Sequence, residues 1–107
     1  MKLLTDEILK AFQKQGKCDE KPATEVKVIA KFFNPCGAGT WYATEYNEQD
    51  RLFFGYVNLI GKEFAELGYF SLDELKGLKL PFGLGIERDL YFREHTLDEV
   101  MNAENRL

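Results

Sequence analysis

The chain has 107 residues, 45% hydrophobic and 14% aromatic, which suits one domain over residues 1–107 with its own core and excludes a disordered chain. Eighteen acids against fourteen bases give a formal net charge of −4, the wrong sign for a dedicated binder of nucleic acid or of an anionic membrane. No apolar run reaches the roughly 20 residues of a bilayer span. Asp6 and Glu7 also fall where a signal peptide needs its apolar stretch, so a cytoplasmic protein with Cys18 and Cys36 as free thiols is expected.

Leu4, Ile8, Ala11 and Phe12 recur at helical spacing, after Thr5 as N-cap and before Gly16 as stop. Pro22 keeps the polar stretch that follows out of a helix. Val26, Val28, Ala30 and Phe32 then alternate with Lys27, Ile29 and Lys31, the pattern of a strand with one mostly wet face. NPCGAG turns the chain into TWYATEY, a second strand with Thr40, Tyr42, Thr44 and Tyr46 on one face and Trp41, Ala43 and Glu45 on the other. After the turn NEQD, RLFFGYVNLI is apolar on both faces and reads as a central strand covered on both sides. EFAELGYF is the fourth strand.

Ser71 and Glu74 form a capping box for a short helix whose Leu72, Leu75 and Leu78 face the sheet, with Gly77 as its stop. An irregular stretch around Pro81, Gly83 and Gly85 leads to a last strand over Ile86 to Phe92. Thr96 and Glu99 make a second capping box before a C-terminal helical turn. The expected fold is α+β: a single antiparallel sheet of four or five strands with short helices packed on it.

Chemistry is sparse. A nucleophilic thiol needs its pKa lowered by a histidine, a cation or a helix N-terminus. His95 is the only histidine and no spacing ties it to Cys36, so Cys36 reads as a small apolar filler in a tight turn. Two cysteines and one histidine lack the close pairs of a metal site. GAG and GLG lack the lysine and the following helix of a phosphate loop. No catalytic residue, metal or cofactor is assigned.

The best polar constellation is IERDLYF, where Glu87 and Asp89 share one strand face and Arg88 points with Ile86 and Leu90. A buried Arg88 needs a carboxylate, and Glu45 or Glu66 could supply it from another strand. Two outcomes stay open: an ion pair that fixes register, or a pocket of Glu45, Glu66 and Arg88 for a small ligand or an enzyme substrate. Trp41, Tyr42, Tyr46, Phe53, Phe54, Tyr56, Tyr69 and Phe70 are more rings than one sheet face hides. Either a helix covers the surplus or some rings form an exposed contact patch. The expected contact residues are Trp41, Tyr42 and Tyr46, framed by Glu45, Asp50, Glu66, Glu87, Arg88 and Asp89. They suit a protein partner with a basic surface, or a homodimer. Stacking of single-stranded nucleic acid is disfavoured by Glu45, Glu48 and Asp50 beside the rings.

LLTDEILKAFQKQG, KFFNPCGAGTWYATEY, the pair Phe54–Gly55, ELGYFSLDEL and GLGIERDLYF follow one another over about Leu3 to Phe92. In order and spacing they resemble a small bacterial domain of unknown function carried on plasmids, conjugative or integrative elements and phages. The matching polar positions are Thr44, Glu45, Asp50, Glu66, Ser71, Glu74, Glu87, Arg88 and Asp89. That family requires no cysteine at Cys36, and its strand after the NEQD turn is less aromatic than LFFGYVNLI. The resemblance implies no activity. It implies an accessory or counter-defence role on a mobile element.

Overall fold

A computed structural model describes residues 1–105, and the fold class is α+β as expected. Helix α1 (Asp6–Gln15) is capped by Thr5, whose hydroxyl accepts from Ile8 N–H, and ends at Gly16, whose φ is positive. Strand β1 (Lys27–Val28) precedes a meander of β2 (Ala30–Phe33), β3 (Thr40–Asn47), β4 (Leu52–Asn58) and β5 (Glu66–Ser71). Helix α2 (Leu72–Gly77) follows, capped by the Ser71 hydroxyl, then β6 (Glu87–Arg88), β7 (His95–Thr96) and α3 (Leu97–Asn105). The main sheet has five antiparallel strands in the order β5-β4-β3-β2-β6, and β1 pairs with β7 in a separate two-stranded ribbon.

Two hydrophobic cores lie on the two faces of the sheet. On the first face, α1 and α2 pack Phe12, Leu72 and Leu75 against Phe32, Trp41, Ala43, Phe53 and Phe70. On the second, α3 and the segment before β1 pack Leu97, Val100, Cys18 and Val26 against Tyr42 and Tyr56. Burying one such large side chain contributes about 1.5–3 kcal/mol. The aromatic surplus is thus divided between two covered faces rather than crowded onto one.

Four expectations are corrected, the first two by breaks in strand alternation. The strand expected from Val26 splits at Ile29, so that Val26 and Val28 enter the second core whereas Ala30 and Phe32 enter the first. In β3, Thr44 is an extra residue: Ala43 pairs with Gly55 but Glu45 pairs with Phe54. Such a bulge exchanges the faces beyond it. Tyr46 therefore joins Trp41 and Ala43 in the first core, and Glu45 joins Tyr42 on the second face. The expected strand over Ile86 to Phe92 is reduced to Glu87–Arg88, because Asp89 turns the chain by accepting from Tyr91 N–H. Leu78 lies beyond the end of α2 and is exposed instead of facing the sheet.

The bulge is held by one side chain that the sequence pattern did not single out. Gln15 Nε2 donates to the carbonyls of Thr44 (2.7 Å) and Lys27 (2.8 Å), while its Oε1 accepts from Lys27 N–H (3.0 Å). Thr44 is 1% exposed, and its hydroxyl donates to the Phe54 carbonyl at 3.1 Å. Gly55 lies beside the bulge because no side chain fits there: a Cβ would come within 1.8 Å of the Tyr42 carbonyl oxygen.

Candidate functional site

Strand register sorts the expected site residues into transverse rows. On the first face, Arg88, Phe32, Trp41, Val57 and Glu66 form one row across β6, β2, β3, β4 and β5. Arg88 and Glu66 are its two ends, four strand spacings or about 19 Å apart. Glu45 lies on the opposite face. A pocket of Glu45, Glu66 and Arg88 is not formed, and neither is the alternative ion pair. The Arg88 Nε is buried without a hydrogen-bond partner among the described residues, and the Arg88 N–H reaches the Met1 sulfur at 3.1 Å.

Two of the expected contact residues are core residues: Trp41 is 8% and Tyr42 7% exposed. Tyr46 is half-buried against Phe53, with ring centroids 4.7 Å apart, and burial pushes its phenol pKa up. Asp50 closes the turn after β3, where Asn47 Nδ2 donates to its carboxylate and its own N–H donates to Asn47 Oδ1. Glu87 pairs with Phe33 at the far edge of the sheet. Asp89 belongs to a row of the second face, Asp89–Lys31–Tyr42–Tyr56–Leu67. In that row Lys31 Nζ lies 3.6 Å from the Asp89 carboxylate and 5.6 Å from the centre of the Tyr42 ring.

Cys36 is exposed, contrary to its reading as a filler. Its N–H donates to Asn34 Oδ1 in the turn, and its sulfur reaches the Pro81 carbonyl at 3.9 Å. His95 packs on Phe92 and lies 3.9 Å from Glu99 instead. Cys18 is buried, and burial followed by the charge of Glu45 pushes its thiol pKa up, away from a nucleophilic thiolate. Among the described residues there is no group of three or more His, Cys, Asp or Glu side chains that could hold a metal ion. No helix among them is long and apolar enough to cross a membrane.

What converges is a third row, Glu45–Phe54–Tyr69, across β3, β4 and β5 on the second face. Helix α3 packs Leu97 and Val100 with Tyr42 and Tyr56, and its Leu97 borders a hollow beside this row. Phe54 and Tyr69 meet edge to face at 4.9 Å, and Tyr69 is 72% exposed. Both rings and Glu45 line two hollows, one on each side. A hollow of about 310 Å³ is bounded by Cys18, Val26 and Leu67, and one of about 450 Å³ by Tyr46, Leu52 and Asp50. Glu45, Tyr46 and Asp50 are thus the expected residues that the fold brings together. Phe54, Leu67 and Tyr69 complete the surface, and only the bulge at Thr44 places Glu45 beside them. Another hollow, of about 540 Å³ between α1 and residues 92–94, contains none of the expected site residues. Its Lys27 is already paired with Glu94 at 2.7 Å.

No curated protein and no solved structure matches the chain. A family described as protein of unknown function, DUF2958, matches residues 3–105, nearly the whole sequence. The motifs that run from the capped first helix to IERDLYF lie inside that match, and the chain belongs to the DUF2958 family.

Proposed function

We propose that the protein is a non-enzymatic binding module that takes an extended, basic segment of a partner protein on the ridge Glu45–Phe54–Tyr69. The observation that carries this reading is the exposure of Tyr69, packed against Phe54 beside the exposed Leu67 on the second face. Aromatic side chains that stay in water on a rigid sheet are typical anchors of protein interfaces. Glu45 and Asp50 outnumber Lys17 on one hollow, and Asp19 and Glu45 outnumber Lys21 on the other, a balance that favours lysine or arginine in the partner. The same carboxylates repel phosphates, which sets nucleic acid second. An accessory or counter-defence role on a bacterial mobile element is supported by the motif resemblance.

The test is a photo-reactive amino acid installed in cells at Tyr69 and, as control, at Tyr91, which is still more open to solvent. The reading predicts a discrete adduct with another protein from Tyr69 alone, lost when Glu45→Lys is added. Adducts of the same pattern from both positions would refute it.

A further inference from the structure

We propose that β5 also pairs with β5 of a second copy, antiparallel about a two-fold axis at Gly68, so that two ridges join into one binding face. The proposal deepens the ridge reading but is tested without any partner.

The five-stranded sheet has two edges, β6 and β5. At β6 the outward Arg88 N–H is taken by the Met1 sulfur. At β5 no strand among the described residues lies outside. An uncovered edge presents a row of unpaired backbone groups. Which groups these are follows from one bond: Leu72 N–H donates to the Arg51 carbonyl at 3.0 Å, in register with the pair Leu52–Ser71. Antiparallel ladders alternate. Glu66, Gly68 and Phe70 therefore bond inward to β4, and Leu67 and Tyr69 turn their N–H and C=O groups outward.

The usual defences of an edge strand are missing. Glu66–Ser71 reads ELGYFS, without proline, lysine or a bulge. A two-fold axis at Gly68 sets outward residue against outward residue, Leu67 facing Tyr69 of the other copy. Gly68 then faces its own copy in the close, non-hydrogen-bonded position, where two glycines leave room. Glu66 faces Phe70, so no like charges oppose each other despite the net charge of −4. Leu67 and Tyr69 lie on the second face, and the row Glu45–Phe54–Tyr69 continues into Leu67 and Tyr56 of the second copy.

Sedimentation equilibrium of the full chain reads the claim. The wild type is expected at twice 12.4 kDa. Leu67→Glu with Tyr69→Glu sets carboxylate against carboxylate twice and should return the monomer mass. Leu67→Glu with Tyr69→Lys sets opposite charges together in this register and should restore the dimer. A wild type that stays monomeric up to its solubility limit overturns the proposal, as does a dimer indifferent to the double-glutamate variant or a failure of the charge pair to restore it.

A second readout does not depend on those variants folding. A Cβ at Gly68 meets nothing within 4 Å, so Gly68→Cys fits the strand. With Cys18→Ser and Cys36→Ser added, mild oxidation should give a disulfide dimer that Gly37→Cys in the same background does not give. Equal cross-linking from both positions counts against the axis. A monomeric wild type would leave the ridge reading standing, whereas loss of the Tyr69 adduct would not affect the dimer.

Discussion

Arg88 and Glu66 terminate the same transverse row of the sheet, with Phe32, Trp41 and Val57 between them. Opposite charges on one face look like a pair in the sequence, but the order β5-β4-β3-β2-β6 sends them to opposite edges. Residues more than about 10 Å apart with no shared partner contribute independently, within about 0.5 kcal/mol. A double-mutant cycle of Glu66→Ala and Arg88→Ala, followed by urea unfolding, should therefore be additive. A coupling above about 1 kcal/mol would contradict the register, since only contacting residues couple so strongly.

Gly55 carries the tightest steric constraint on the sheet. Gly55→Ala would drive a methyl group into the Tyr42 carbonyl, which is rigid backbone. The expected loss of stability in urea unfolding is about 3 kcal/mol, the upper end for overpacking. A loss under about 0.5 kcal/mol would mean that β3 and β4 are not joined as described.

Gln15 is expected to behave as a core residue although it is amide-bearing and half-exposed. Gln15→Ala removes three hydrogen bonds to Lys27 and Thr44 and should cost about 2 kcal/mol, at roughly 1 kcal/mol net per bond with some replaced by water. Gln15→Glu loses both donors and should cost no less. Thermal unfolding of both variants checks this.

The second capping box has a pH signature. Glu99 accepts from the Thr96 N–H at 2.8 Å and from its hydroxyl at 3.2 Å, which holds the carboxyl below its ordinary value of 4.5. The folded state favours the ionised form, so the contribution is complete above the unfolded value and fades as pH falls through the lower folded value. The stability gap between wild type and Glu99→Gln should be open at pH 7 and should close in acid. A gap that stays constant into acid would place the contribution elsewhere than in the carboxylate.

The sequence made legible what depends on short-range rules. Thr5, Ser71 and Thr96 cap the helices expected of them, and NPCGAG turns the chain. The four strands of the meander follow in order, because alternation and turn residues act within a few positions. What escaped is set by single residues that interrupt a period. Thr44 and Ile29 each look like members of an alternating strand, yet their backbones shift the register by one. That shift decides which face Glu45 and Tyr46 occupy. The candidate site was legible in part for the same reason: Glu45, Tyr46 and Asp50 meet, whereas Trp41 and Tyr42 are buried in two different cores.

Burial therefore separates two aromatic substitutions. Trp41→Ala empties a core position and should cost about 3–5 kcal/mol, so any loss of binding would report unfolding. Tyr69→Ala gives up only the edge contact with Phe54 and should cost about 0.5–1.5 kcal/mol, well short of Trp41→Ala, and still remove the contact.

The central claim is that Tyr69 stands at a protein contact. The most direct measurement is mass analysis of the photo-adducts formed in cells from Tyr69 and from Tyr91, with Glu45→Lys as the charge-reversed control. The account predicts a discrete adduct with another protein from Tyr69, whose mass is not twice that of this chain and which Glu45→Lys removes. An adduct that survives Glu45→Lys, or no adduct from Tyr69 beyond what Tyr91 gives, would contradict it.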